Sequence, residues 1–206
     1  MSYQFKNITV LVVESTRAMF DLTRSVLQTF GVNQVYSAYG SDEGYDTYCR
    51  VNPDLIIIDW LEDPDNGLEL TRRVRTESKS PNPFIPVILM TGYSQKRRVL
   101  QARDSGITEF LVKPFTAKAL YLKIEQLVER PRHFVSTENY FGPDRRRKLE
   151  NEYAGPDRRT LEQPKPRAPK PDEGTSLSSA VRKAREIKER HEHGNGGNGS
   201  GKKDKA

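Results

Sequence analysis

Five short apolar runs between residues 8 and 112, separated by stretches of helical periodicity, restrict this chain more than any other feature. Ile8–Val13 and Leu55–Ile58 are continuous and rich in β-branched residues. Such runs predict strands buried on both faces. Gln34–Ala38, Pro86–Met90 and Thr108–Val112 complete the set. Between the first two runs, Met19, Leu22, Val26, Leu27 and Phe30 recur at helical spacing before Gly31. Ser41 is a candidate cap for a second helix reaching about Arg50, with Pro53 closing it. Leu68, Leu70 and Val74 mark a third helix over 67–77, and Val99, Leu100 and Ala102 a weaker fourth over 95–105. The fifth runs from Thr116 to about Glu129 and carries Leu120, Leu122, Ile124, Leu127 and Val128. Strands and helices alternating in this way predict an α/β fold with right-handed crossovers. The expected core is a doubly wound five-stranded parallel sheet covered on both faces.

In such a sheet a site forms beyond the carboxyl ends of the strands. The first strand runs into Glu14-Ser15, the third ends at Asp59, the fourth runs into Thr91-Gly92, and the fifth into Lys113-Pro114. Two acids, a hydroxyl and an ammonium are therefore expected at one rim. Trp60 reads as packing, and Cys49 as an inert residue on a helix.

Charge and composition divide the chain. The first 130 residues hold 16 cations and 16 anions, so the whole net charge of +6 lies beyond them. That second part holds 7 of the 13 prolines, 8 of the 14 glycines and few large apolar residues. It cannot bury enough surface to offset its chain entropy. The expected organisation is a domain at 1–130, an arginine-rich segment at 131–163, and a tail at 164–206. The basic tail is expected to be mostly disordered apart from a marginal helix over 176–191. Pro164–Pro171 is a stiff spacer. His191 and His193 stand without further ligands and read as tail. One cysteine excludes an internal disulfide. The apolar runs are too short to span a bilayer, and the N-terminus lacks a signal-peptide pattern. A soluble, cytoplasmic protein without membrane insertion is the expectation.

Val-Leu-Val-Val-Glu-Ser, Leu-Ile-Ile-Ile-Asp-Trp, Gly67 eight residues after Asp59, Leu-Met-Thr-Gly and Leu-Val-Lys-Pro-Phe occur in that order. Together, over about residues 6–130, they resemble the receiver domains of two-component response regulators, the CheY-like family. The resemblance implies a flavodoxin-like (βα)5 fold and a non-enzymatic role in phosphorelay signalling, of the kind used in chemotaxis and motility. It implies Asp59 as phospho-acceptor toward a phosphohistidine or small phosphodonor. Lys113 and Thr91 would hold the phosphoryl oxygens, Phe110 would be the switch aromatic, and Glu14 and Ser15 would form the acidic pocket. A histidine kinase or a flagellar-motor component would dock on the receiver face. The family normally has two adjacent acids after the first strand, the second a direct Mg²⁺ ligand. Here that place holds Ser15, and a neutral hydroxyl is a poor ligand for Mg²⁺. Glu14 and Asp59 would make a weak metal site. The loop after Asp59 also departs from the usual Met-Pro, reading Leu61-Glu62-Asp63-Pro64; Glu62 or Asp63 would restore part of the charge.

The basic segment contains a repeat. Tyr140-Phe-Gly-Pro-Asp-Arg-Arg146 returns thirteen residues later as Tyr153-Ala-Gly-Pro-Asp-Arg-Arg159, with six of seven positions identical. Gly-Pro-Asp favours a turn that presents the paired arginines in one direction. Arginine forks onto guanine or phosphate, aspartate accepts from base N–H groups, and an aromatic ring stacks on a base. The pair resembles the arginine-rich stretch after the receiver in CheY-like cyclic di-GMP effectors. That resemblance implies cyclic di-GMP as ligand, bound by Tyr140, Asp144, Arg145, Arg146, Tyr153, Asp157, Arg158 and Arg159. A generic phosphate or nucleic-acid contact and a solvated charge run are the competing explanations. At the level of the whole chain, the competitor is a conventional receiver switched by phosphorylation of Asp59. Its basic tail would then bind protein or nucleic acid. No helix-turn-helix or zinc spacing follows the domain, which weighs against nucleic acid. Residues 136–160 are expected to be mobile without ligand, for want of apolar residues to dock.

Overall fold

The computed structural model describes residues 4–60, 64–92 and 96–145. Five parallel strands, β1 (Thr9–Val13), β2 (Gln34–Ala38), β3 (Leu55–Asp59), β4 (Val87–Thr91) and β5 (Glu109–Val112), form one sheet in the order β2-β1-β3-β4-β5. The helices are α1 (Arg17–Thr29), α2 (Ser41–Val51), α3 (Pro64–Thr76), α4 (Lys96–Asp104) and α5 (Ala117–Glu129). This is the doubly wound parallel sheet that the alternation predicts, in the flavodoxin-like form that the receiver resemblance implies. Successive strand side chains point to opposite faces, and the core divides accordingly. Val10, Val12, Ile57, Ile88 and Leu111 pack under α1 and α5, through Phe20, Leu27, Leu120 and Ile124. Leu11, Val13, Ile56, Ile58 and Leu89 pack under α2, α3 and α4, through Tyr48, Leu70, Val74 and Ala102.

The boundaries move in ways the local chemistry explains. Helix α3 begins at Pro64, not Gly67, since proline suits the first helical turn. Gly67 is needed for a different reason. A Cβ there would stand 2.7 Å from the carbonyl oxygen of Asp59, so only glycine lets α3 approach the end of β3. Gly40, not Ser41, is the cap residue of α2. Thr116 caps α5 by accepting the Ala119 N–H at 3.1 Å.

The fold does not stop where α5 ends. Phe134–Thr137 (β6) and Tyr140–Pro143 (β7) pair as an antiparallel hairpin. The expectation of mobility from residue 136 onward is therefore corrected for residues 136–145. Few apolar residues are present, but two of them, Phe134 and Phe141, are aromatic and converge on a third ring. The rings of Phe134 and Phe141 each lie 5.2 Å from Phe84, in the loop before β4. The spacer, the marginal helix over 176–191 and the second repeat copy lie outside the described residues.

Candidate functional site

The carboxyl rim gathers as the strand ends predict. Parallel pairing sets Asp59 beside Met90, and Thr91 beside Val112. The Lys113 N–H donates to the Thr91 carbonyl at 2.8 Å, which fixes where the lysine leaves β5. Its ammonium bridges the two acids, 2.9 Å from Glu14 Oε2 and 3.0 Å from Asp59 Oδ1. Glu14 is buried at 1% exposure, while Asp59 and Lys113 keep 19% of their side chains open to solvent. The deeper acid thus serves the lysine, and the shallower one is reachable. Glu14 is also a helix-entry acid, its second oxygen accepting the Thr16 N–H at 3.0 Å. Thr91 is buried at the end of β4. Phe110 is half-buried against the apolar layer under α4. Trp60 is buried packing, with the Arg98 guanidinium 5.8 Å from its ring centre. Ser15 is half-buried beside Glu14.

This donor set does not fit Mg²⁺ well. Glu14 and Asp59 each commit an oxygen to the same ammonium, and the neighbouring position carries a hydroxyl. Mg²⁺ needs hard oxygens in near-octahedral order. Among the described residues, no group of three or more His, Cys, Asp or Glu could hold a metal ion. Glu62 and Asp63 lie outside the described residues.

At the opposite rim, the hairpin covers the loops that enter β4 and β5. Arg75, from α3, is buried there and donates to the carbonyls of Pro83 (2.8 Å), Ile85 (2.7 Å) and Gly106 (2.9 Å). Burial pushes its pKa down to about 10, so it remains a cation at neutral pH. The Phe134 ring closes over it, 5.1 Å from the guanidinium carbon. Glu109, which begins β5, is 1% exposed and holds Arg132 at 2.8 Å and Lys123 at 3.0 Å. Arg132 also reaches the Asp144 carbonyl at 3.3 Å, which ties the hairpin's exit to the domain.

The first repeat copy is part of this hairpin. Tyr140 is buried at 9% exposure and donates its hydroxyl to the Pro143 carbonyl at 2.8 Å. A Cβ at Gly142 would meet that hydroxyl at 2.6 Å, so the tyrosine requires the glycine. Tyr140 therefore props up the turn in this arrangement and does not offer an open face to a base. Arg145 lies over its ring at 4.4 Å and pairs with Asp104 at 2.7 Å, half-exposed. The Asp144 N–H donates to the His133 carbonyl at 2.7 Å. Arg146, Tyr153, Asp157, Arg158 and Arg159 lie outside the described residues. Sequence reading missed Glu109, Arg132, Arg75, Phe84 and Asp104. The signal available was the hairpin: two β-prone runs separated by the two residues Glu138-Asn139.

The architecture and its rim define the class: a doubly wound α/β domain with paired carboxylates and a lysine beyond the strand ends. Residues 10–125 match the response regulator receiver domain family, and the chain belongs to it. A chemotaxis protein CheY homolog from Campylobacter jejuni is 32% identical over 121 residues, covering 58% of this chain and 91% of that protein. Chemotaxis protein CheY-3 of Vibrio cholerae is 24% identical over 125 residues, covering 61% of this chain and 95% of its own. The solved structure of Vibrio cholerae CheY4 superposes with a TM-score of 0.53 at 24% identity, over 58% of this chain and 97% of that one. The likeness in structure speaks for the fold. The family match ends at residue 125, before the repeat. Among the described residues, no helix is long and apolar enough to cross a membrane.

Proposed function

We propose that the chain is a signalling adaptor of the response regulator type, which docks a partner through its receiver and binds cyclic di-GMP through its two Gly-Pro-Asp-Arg-Arg copies. The observation that carries this reading is the repeat. Six identical positions include the tyrosine, glycine and proline that build a turn in the first copy, and that turn gives Arg145 a fixed direction. Partner docking is supported by Leu100, Val112 and Leu122. These large apolar side chains stand in solvent on α4, β5 and α5, along the β5 edge of the sheet. The partner is a histidine kinase or a flagellar-motor component, in keeping with relatives that are named as chemotaxis proteins.

At the rim, Asp59 accepts a phosphoryl group slowly. An Asp59 oxygen bonds to phosphorus as the bond from phosphorus to the donor's histidine nitrogen breaks. Lys113 meets the added charge. Ser15 leaves the rim one carboxylate short, so the receiver depends less on this step than one with both acids.

Calorimetric titration of cyclic di-GMP into the full chain tests the ligand. Asp144→Ala and Asp157→Ala each make the segment more basic, so a purely electrostatic site binds more tightly after either change. A guanine-reading site loses about 1–3 kcal/mol per lost base contact, roughly ten- to a hundredfold in affinity. Tighter binding by these variants, or equal affinity for cyclic di-AMP, overturns the reading.

A further inference from the structure

Three arginines from separate parts of the chain meet around one depression where the hairpin lies against the domain. They are Arg103 at the end of α4, Arg132 before β6, and Arg145 after β7. Phe110 and Thr108 wall the same depression, and Asp144 lies beside Arg145. Arg132 is held in place by buried Glu109 at 2.8 Å. Arg103 and Arg145 approach a single oxygen, Asp104 Oδ1, at 3.3 and 2.7 Å. Asp104 is 49% exposed. Guanidiniums converging on one anionic oxygen, with a third alongside, provide the charge-assisted contacts that a phosphate oxygen takes. An exposed ion pair contributes little to stability, so exchanging its anion costs little. The space between the arginines has room for about one water molecule, and two of the arginines that line it, Arg103 and Arg145, are paired with Asp104.

We infer that this depression is a site for a phosphodiester nucleotide, built jointly by Arg103, Arg132 and Arg145, in which Asp104 is a competing anion that the ligand displaces. The inference rests on the reading of the repeat as a nucleotide binder. It moves the site from the repeat alone to the junction with the receiver, because neither Arg103 nor Arg132 belongs to the repeat. The remaining wall suits the rest of such a ligand. Phe110 offers an apolar surface to a base, and Asp144 is an acceptor for base N–H groups. Phe110 stands three residues before Lys113 on the same chain segment, so an occupant touches the strand that carries the rim lysine.

The test is calorimetry on the full chain with cyclic di-GMP, together with amide NMR shifts. Arg103→Ala weakens binding about tenfold, the size of one charge-assisted hydrogen bond. Asp104→Ala tightens binding severalfold, whereas Asp21→Ala, which removes the same charge from α1, leaves it unchanged. Both effects are required. Wild-type affinity in Arg103→Ala, or no tightening in Asp104→Ala beyond the Asp21→Ala control, overturns the joint site while leaving the repeat as a binder. If the wild-type chain does not bind cyclic di-GMP, the proposed function fails, and pyrophosphate becomes the probe. Amide shifts at 103–108 and 144–145 on adding pyrophosphate, diminished in Arg103→Ala, then uphold the site; their absence overturns it.

Discussion

Among the described residues, two glutamates are buried to 1% exposure, one at each end of the sheet, and neither is without countercharge. Glu14 shares Lys113 with Asp59, and Glu109 holds Lys123 and Arg132. A buried charge is tolerated when paired, and removing one partner strands the other. Glu109→Gln should therefore cost about 3 kcal/mol, read as a lower midpoint in chemical denaturation. A change within error would show that the pairs around Glu109 contribute nothing net. Ser15 presents the reverse case, a neutral hydroxyl where the proposed phosphoryl chemistry favours a carboxylate. Ser15→Asp should raise Mg²⁺ affinity and speed labelling of Asp59 by a small phosphodonor. Wild type already labelling as fast as a receiver with both acids, or no response to Ser15→Asp, would remove Ser15 as the limiting group.

The β6–β7 hairpin is held by a few specific contacts, not by a broad apolar face. Phe84, Phe134 and Phe141 form one aromatic trio, and Gly142 lies where a Cβ would stand 3.1 Å from Gly106. Phe141→Ala should cost about 2 kcal/mol, below the usual 3–5 for a fully buried phenylalanine because Phe141 is half-buried. Gly142→Ala should also destabilise, since the added methyl meets the Tyr140 hydroxyl at 2.6 Å. Combined with Tyr140→Phe, the two costs should fall short of their sum, because both changes act on the same contact. Equilibrium unfolding of the two single variants and the double variant measures this; strict additivity would deny the coupling. The repeats differ at the docking position itself, where Phe141 corresponds to Ala154. The residue that fastens the first copy to Phe84 is the one the second copy lacks.

Across the whole molecule, β5 joins the two ends. It begins at Glu109, fastened to the hairpin's entry through Arg132, and leads into Lys113 at the acid rim. The folded unit therefore reaches at least Arg145, beyond the end of α5. A chain ending at 130 loses Arg132 from Glu109 and uncovers Arg75 and Phe84, while a chain ending at 145 keeps all of these. The shorter form should melt several degrees below the longer one in a thermal scan, since each kcal/mol moves Tm by a few degrees at this size. Equal midpoints would show that the hairpin adds nothing to the receiver.

The strands, the helix faces and the rim acids were legible because they are written in local periodicity. Val10 and Val12 alternate with Leu11 and Val13 onto opposite layers, as a doubly covered strand requires. Asp59 ends β3 and Lys113 follows β5, and parallel strands bring their carboxyl ends to one edge, so their meeting was expected from the sequence. The hairpin was legible only in part. Its two-residue Glu138-Asn139 turn is a sequence signal, but composition argued against docking, because counting apolar residues cannot show that three rings converge. Nor does any local pattern reveal that Glu109 is buried against a cation 23 residues away, or that Tyr140 faces inward. Those facts are decided by tertiary structure. A charge or an aromatic ring has no fixed preference until packing determines whether its partner or the solvent lies beside it.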